Sequence, residues 1–203
     1  MSSSPVEERS RAGRESAARV ALVEATAQIM LDVGYAAATS RRVAAKAGVK
    51  SALVHYYFPT MDDLFVEVVR TRAEMNLQRQ REALSDDEPL HALWRISSEH
   101  DARLWMEIMA LANHRKAIRS EIAAYADRFR DVEESVVTLA LRSHGADMAA
   151  FPPVVLSMIV AILPRMVVLE QHLGITRGHA EATAFVEQYL DRFELRKESR
   201  SDP

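Results

Sequence analysis

The segment Thr39–Phe58, TSRRVAAKAGVKSALVHYYF, constrains the fold more than any other part of the chain. Thr39 stands where its hydroxyl can accept a hydrogen bond from an unpaired backbone N–H at the start of a helix. Gly48 stands where a chain that leaves a helix needs a left-handed residue, which glycine adopts at little cost. A second short helix is predicted from about Ser51, and it must end near Pro59 because proline cannot continue a helix. Two short helices joined by such a turn are typical of a DNA-binding helix-turn-helix.

The charge of the same segment agrees with this interpretation. No acidic residue occurs between Asp32 and Asp62, although the whole chain carries a formal net charge of −3. A phosphate backbone responds to local positive potential rather than to the average charge of a protein. The acid-free interval therefore indicates a DNA-facing surface, although simple exposure to solvent also explains Lys46. The candidate cations are Arg41, Arg42, Lys46 and Lys50.

The composition favours helices and excludes thiol chemistry. Of the 203 residues, 48% are hydrophobic, and only 6 Gly and 7 Pro interrupt them. We therefore expect an all-α fold, with an N-terminal three-helix helix-turn-helix domain and a larger C-terminal helical domain. The absence of Cys excludes disulfides and thiolate metal sites, and the His residues lack metal-ligand spacing, so no metal or cofactor is predicted. The N-terminal residues lack the apolar stretch of a signal peptide, which predicts a cytoplasmic protein.

Polar and charged segments and a helix-capping pattern predict the domain boundaries. Residues 1–14 are polar and charged and predict a disordered basic tail, and residues 15–60 form the predicted helix-turn-helix domain. Thr60 and Asp63 have the spacing of a capping box, which begins a helix over residues 60–83 that would link the two domains. Residues 61–196 form the predicted C-terminal domain, and residues 197–203 a second disordered tail.

The longest apolar segment runs from about Phe151 to Leu169 and predicts a helix that is apolar nearly all round. A membrane span needs about 20 apolar residues, and this segment is interrupted by Pro164 and Arg165. A buried helix or an interface helix is therefore the preferred interpretation.

The chain resembles the tetracycline-repressor-like (TetR) transcription regulators over about residues 15 to 65. The resemblance implies an all-α homodimer whose C-terminal domain binds a small molecule and dimerises through the last two long helices. It also implies repression that is relieved when the ligand binds. The residues that stand in the order and spacing of that family are Leu22, Ala25, Ile29, Gly34, Tyr35, Thr39, Val43, Ala44, Ala47, Gly48, Val49, Val54, Tyr57, Phe58 and Leu64.

The same resemblance implies which residues touch double-stranded DNA. The start of the first DNA-facing helix contacts phosphate, the start of the recognition helix reads base edges, and the aromatic cluster that follows contacts the backbone. The corresponding residues are Thr39, Ser40, Arg41 and Arg42 for phosphate, Lys50, Ser51, Ala52 and Leu53 for bases, and His55, Tyr56 and Tyr57 for the backbone. The sequence departs from the family's usual pattern at Lys50-Ser51, at His55 and at Met61, so operator choice is expected to depend on these positions.

Aromatic and methionine side chains at helical spacing supply candidates for an effector pocket, although the same pattern fits an ordinary packed core. Asn113 follows an apolar stretch and is the most suggestive polar candidate, and a kink at Pro164 would open space between helices. Because most of the candidates are apolar, a hydrophobic effector is expected. The candidates are Trp94, Trp105, Met109, Asn113, Tyr125, Phe129, Met158, Leu163 and Met166.

These observations together predict a ligand-responsive, dimeric transcriptional repressor. Its two recognition helices would lie roughly 34–36 Å apart to enter successive major grooves. An effector would act through the linking helix by favouring a conformation that does not fit DNA. A regulator or activator without small-molecule control remains an alternative. An enzyme with an incidental helix-turn-helix is a further one, but no catalytic constellation is found in the sequence, so no enzymatic activity is expected.

Overall fold

The computed structural model describes residues 5–98 and 101–194, with side chains over residues 15–98 and 103–194. The described residues form helices and no strand, so the predicted all-α fold is confirmed. The helices are α1 (Pro5–Val33), a short 3-10 helix (Tyr35–Ala37), α2 (Ser40–Ala47), α3 (Ser51–Tyr57), α4 (Met61–Ala83), α5 (Pro89–Ser98), α6 (Asp101–Ala112), α7 (Lys116–Ser143), α8 (Pro153–His172) and α9 (His179–Phe193).

Helix α1 begins earlier than the sequence predicted. It starts at Pro5, whereas we expected a disordered tail over residues 1–14. Proline suits the first helical position because the N–H that it lacks would be unpaired there in any case. No further proline interrupts the segment before Val33, so the helix continues. Residues 1–4 and the predicted tail over residues 197–203 lie outside the described residues.

Contacts divide the described chain into two units. The first unit combines the described part of residues 1–72 with residues 104–122, and the second combines residues 73–103 with the remainder from residue 123. Helices α4, α6 and α7 therefore each contribute residues to both units. This grouping follows contacts rather than chain order, and the functional boundary near residue 60 stays a prediction.

The first unit is built around an apolar core that holds α2 and α3 in place. Leu22, Met30, Val43, Val54 and Leu64 are each at most 1% exposed, and burying a side chain of this size stabilises a fold by about 1.5–3 kcal/mol. Helices as short as α2 and α3 are not stable in isolation. The geometry of the helix-turn-helix therefore depends on this shared core.

The second unit has its own core and leaves one face of α8 exposed. Its core contains Leu93, Val136, Leu141 and Leu190, each at most 4% exposed. Of the apolar helix α8, only Ser157, Val160, Ala161 and Pro164 are buried. By length and composition α8 is also the one helix among the described residues that could cross a membrane. The large apolar side chains of α8 that are 39–48% exposed are Val154, Val155, Met158, Ile159, Ile162 and Met166.

Candidate DNA-binding site and effector pockets

The helix-turn-helix forms through the local interactions that its sequence predicted. The Thr39 hydroxyl accepts a hydrogen bond from the backbone N–H of Arg42 at 3.4 Å and caps α2. Gly48 follows α2 in the left-handed conformation, with φ +67°. The backbone N–H of Val49 then donates to the carbonyl of Ala44 at 3.0 Å, which closes the turn before α3.

Helix α3 presents its predicted DNA-facing side to solvent and its other side to the core. Val54 is 1% exposed and Phe58, just after the helix, is 3% exposed. None of the predicted DNA-contacting residues of α2 and α3 is buried. Their exposure fits the predicted roles, and the contacts with DNA stay a prediction. The exposed members are Thr39, Arg41, Arg42, Lys50, Ser51, Ala52, His55 and Tyr56, and the partly buried ones are Ser40, Leu53 and Tyr57.

The cations of this surface differ in their pairing. Lys46 Nζ lies 3.2 Å from Asp32 Oδ2, so its charge is already matched by an acid of α1. Arg41, Arg42 and Lys50 form no ion pair with any described residue. Their positive charge is therefore available to phosphate, whereas that of Lys46 is partly offset by Asp32.

Tyr57 combines a packed ring with an available hydroxyl. Its ring meets that of Tyr56 edge to face, with 5.0 Å between centroids, and packs against the core of the first unit. Desolvation, followed by the charges of Glu15 and Tyr56, raises the pKa of the Tyr57 phenol. The hydroxyl therefore stays neutral at physiological pH and can donate a hydrogen bond to a phosphate oxygen.

Side chains from α1 and α4 brace the end of α3. The Arg19 guanidinium lies 5.3 Å from the centre of the Phe58 ring and forms an ion pair with Glu67 at 2.8 Å. The predicted capping box is present at the start of α4: Asp63 Oδ2 accepts from the Thr60 backbone N–H at 2.9 Å, and the Thr60 hydroxyl accepts from the Asp63 N–H at 3.2 Å. These contacts fix the orientation in which α3 leaves the core.

Glu107 of α6 supports the corner between α1 and α2, and the sequence contained no signal for this contact. Its Oε2 atom accepts the backbone N–H of Tyr35 at 2.8 Å. Gly34, just before, has φ 94° and ψ 158°, a conformation that is essentially restricted to glycine. A carboxylate from a distant part of the sequence therefore holds the chain where it turns into the helix-turn-helix.

The predicted effector-pocket residues are distributed over both units. Trp105, Met109 and Asn113 belong to the first unit, and the other six belong to the second. Trp94 and Tyr125 are 8% exposed, whereas Met109, Met158 and Met166 are 42–50% exposed and Asn113 is exposed too. Phe129 and Leu163 are partly buried, as is Trp105. Their role in effector binding stays a prediction.

Tyr125, one of these residues, takes part in a surface network of the second unit. Its hydroxyl donates to Glu74 Oε1 at 3.0 Å, and Arg128 Nη1 donates to the same oxygen at 2.8 Å. Hydrogen bonds from Arg128 and then from Tyr125 lower the pKa of the Glu74 carboxyl. The Arg128 guanidinium also lies 4.9 Å from the centre of the Tyr125 ring. These interactions give Tyr125 a structural role that connects α4 with α7.

A cavity of about 260 Å³ is present in the second unit, and its walls are almost entirely apolar. None of the predicted effector-pocket residues lines it. The side chains that form it come from α5, α7, α8, α9 and the loop before α8, and periodicity cannot separate them from ordinary core residues. The lining residues are Leu90, Leu141, Phe151, Leu156, Ile159, Val160, Phe185, Val186, Tyr189, Leu190 and Phe193.

Comparison with known proteins agrees with the N-terminal geometry. Residues 22–68 match the family model described as bacterial regulatory proteins, tetR family. The chain is 28% identical over 130 residues to the HTH-type transcriptional regulator BetI of Rhizobium meliloti (strain 1021), a match that covers 59% of this chain and 64% of that relative. The chain thus spans less than two thirds of the length of this relative.

Solved structures show the same fold across both units. A putative transcriptional regulator from Saccharomonospora viridis, solved in complex with choline, is 18% identical with a TM-score of 0.70, over 90% of this chain and 100% of that one. A TetR transcription regulator from Haloarcula marismortui ATCC 43049 is 19% identical with a TM-score of 0.69, over 89% and 100%. At these identities the likeness concerns the fold. Together with the match of residues 22–68 to the family model, it confirms the resemblance found in the sequence: the chain is similar to TetR-family transcriptional regulators.

Proposed function

We propose that the protein is a homodimeric, cytoplasmic repressor that binds an operator through α2 and α3 and is released by a small, largely hydrophobic effector. The observation that carries the proposal is that three cations of the helix-turn-helix form no ion pair with a described residue. Arg41, Arg42 and Lys50 have no acidic partner among the described residues, while the core behind them is fully buried. An exposed, unmatched positive surface on a rigid support is what binding to DNA phosphate requires.

Within this function, some residues would contact the phosphate backbone and others would contact the bases. Thr39, Arg41, Arg42 and Tyr57 would hold phosphates, because each carries a hydrogen-bond donor and none of them is buried. Lys50, Ser51 and Ala52 stand exposed at the start of α3 and would face base edges in the major groove, with Leu53 beside a thymine methyl. Lys50 occupies the N-cap position of α3, yet its side chain makes no capping bond. It is therefore available for contact with a base or a phosphate.

The dimer interface would be the exposed apolar face of α8 and α9. Phe185 and Tyr189 of α9 are 60% and 38% exposed, and their rings lie 4.9 Å apart. These rings and the exposed side of α8 present large apolar side chains of the kind that soluble proteins cover by association. A second copy would cover it, and stable dimers typically bury about 800 Å² per partner.

Met158→Asp is the variant that tests this interface. It should convert the dimer to a monomer in sedimentation and weaken operator binding, since each half-site would then be bound alone. Leu84→Asp is the matched control, because Leu84 is 43% exposed but lies outside α8 and α9. Purification that succeeds only with detergent would instead support a membrane role for α8.

The effector would bind in the second unit and act through α4. The apolar wall of the cavity supports a hydrophobic ligand, and the S. viridis regulator with choline bound shows that this fold can hold a small molecule. Helix α4 contributes Met61–Arg72 to the first unit and Ala73–Ala83 to the second. An effector that binds one arrangement of α4 better than the other would shift the population away from the DNA-binding state.

Operator binding is the decisive experiment. Purified protein should select a palindromic sequence from fragmented genomic DNA, and Arg42→Ala should reduce the affinity for all sequences alike. Substitution of Lys50 or Ser51 should change the preferred bases instead. Unchanged operator binding in these variants would exclude α2 and α3 as the helices that contact DNA.

The alternative is a DNA-binding regulator or activator without small-molecule control. It predicts that operator affinity stays constant across a panel of hydrophobic and polar metabolites. Release by a hydrophobic compound would support the repressor proposed above. Release only by strongly polar compounds would contradict the hydrophobic class of the effector.

A further inference from the structure

A cluster of polar side chains from three helices lies in the second unit. Its two amides and its carboxylate are buried, whereas its two arginines are only partly buried. Asn76 and Gln80 belong to α4, Arg130 and Glu133 to α7, and Arg165 to α8. Gln80 is 1% exposed, Glu133 4% and Asn76 5%. Gln80 Nε2 donates to Glu133 Oε1 at 2.9 Å. Side chains of these types are rarely buried unless they are paired or bind something.

Several atoms of this polar cluster have no hydrogen-bond partner among the described residues. These atoms are Asn76 Oδ1, Gln80 Oε1 and Arg130 Nη1, and each is shielded from solvent. The nearest approach of Arg130 Nη1 to Glu133 Oε2 is 4.0 Å, too long for a hydrogen bond. A buried polar atom without a partner has lost its hydration and gained nothing in return.

Rotation of the Gln80 amide does not remove the deficit. An ionised Glu133 only accepts hydrogen bonds, so the amide must direct its N–H₂ group toward the carboxylate. The Gln80 oxygen then necessarily faces away from Glu133 and remains unpaired. Asn76 lies one turn earlier on the same side of α4, so the two unpaired oxygens lie along the same stripe of the helix.

The charges of the cluster are also unbalanced. Two guanidinium groups, Arg130 and Arg165, act on a single buried carboxylate, Glu133. Burial lowers the pKa of Arg165, while the charge of Glu133 acts to raise it and that of Arg130 to lower it. A buried positive charge is stabilised when an anion accompanies it. The cluster thus sets two guanidinium groups against one carboxylate, and two amide oxygens and Arg130 Nη1 lack a hydrogen-bond partner.

We propose that the polar cluster binds a small carboxylate that also carries a hydroxyl or amino group. The carboxylate lies against Arg130 and Arg165, and the hydroxyl or amino group donates to Asn76 and Gln80. This inference rests on the proposed effector-binding role of the second unit. It adds that the unit also binds a polar ligand, a hydroxy or amino carboxylate, at the polar cluster. The site shares no residue with the apolar cavity, so it is a separate site that recognises polarity.

The test uses glycolate as the probe and the full chain at constant ionic strength. Glycolate supplies both a carboxylate and a hydroxyl, acetate supplies only the carboxylate, and ethylene glycol supplies only hydroxyls. We expect glycolate to raise the unfolding temperature in a saturable manner, because a ligand of the folded state stabilises it. Acetate and ethylene glycol should produce clearly smaller rises at equal concentration.

Variants separate binding from a purely structural role. Asn76→Leu removes an unpaired oxygen and should leave the free protein as stable as the wild type or more so, yet weaken glycolate binding by about tenfold or more. Arg130→Met should weaken it at least as much. Arg142→Met is the matched control, since this exposed arginine lies on α7 outside the cluster, and it should leave glycolate binding unchanged.

The outcomes distinguish this inference from the proposed function. The inference is refuted by an absent or non-saturable glycolate response in the wild type, or by equal responses in wild type, Asn76→Leu and Arg130→Met. Operator binding is measured separately. Normal operator binding together with no glycolate response leaves the repressor proposal standing and removes only this site.

Discussion

Replacing Arg42 by Ala tests directly whether the unpaired cations of α2 contact DNA. Arg42 is exposed and has no ionic partner among the described residues, whereas Lys46 is paired with Asp32 at 3.2 Å. The comparison variant is therefore the double substitution Asp32→Asn/Lys46→Gln, which removes both charges of the pair and keeps the net charge constant. If pairing decides which cations bind phosphate, the two changes should differ sharply.

The expected size follows from counterion release. Each phosphate contact contributes about 0.9 to the slope of log affinity against log salt, so the loss of Arg42 from both subunits of a dimer lowers the slope by about 1.8. Between about 50 and about 200 mM salt, this change corresponds to a roughly 12-fold shift in the affinity ratio of wild type to Arg42→Ala. The double variant should keep the wild-type slope.

The measurement is fluorescence anisotropy of a labelled operator at several salt concentrations. Both variants are first checked for unchanged thermal unfolding, since both sites lie on the surface. A wild-type slope for Arg42→Ala would refute the phosphate contact. Equal flattening in the double variant would refute the argument that ion pairing removes Lys46 from the interface.

Three further predictions concern the framework behind the site. Gly48→Asn should retain more thermal stability than Gly48→Ala, because Asn tolerates the left-handed conformation of this position. At Gly34, substitution by either Asn or Ala should lower the unfolding temperature by roughly 2–12 °C, since the backbone conformation of Gly34 suits only glycine. Glu107→Ala should cost about 1–3 kcal/mol of stability by leaving the Tyr35 N–H without its acceptor, and Glu107→Gln should recover much of it in denaturant titrations. Burial raises the pKa of Glu133, so between the ordinary Glu pKa and the raised one the folded state retains a proton that the unfolded state has lost. The free energy of unfolding should therefore fall as the pH rises through this range, and Glu133→Gln should flatten this dependence. A wild-type pH profile in Glu133→Gln would contradict the last of these.

Local signals in the sequence were sufficient to predict the helix-turn-helix. Thr39 caps α2, Gly48 is left-handed and Thr60 forms a capping box with Asp63, as the sequence predicted. Each of these features involves residues at most four positions apart, and short-range hydrogen bonding governs them wherever they occur. The all-α fold followed from composition and helical spacing for the same reason.

Contacts between distant residues could be known only from the tertiary structure. The pairing of Lys46 with Asp32, the support of Tyr35 by Glu107 and the cluster around Glu133 join residues 14 to 72 positions apart. Hydrophobic periodicity shows which side of a helix is buried, but not whether a buried side chain packs against a neighbour or borders a cavity. The predicted effector-pocket residues are therefore spread over two units, and other residues line the observed cavity. A cavity arises from the packing of several helices, and the pattern on any one helix does not show it.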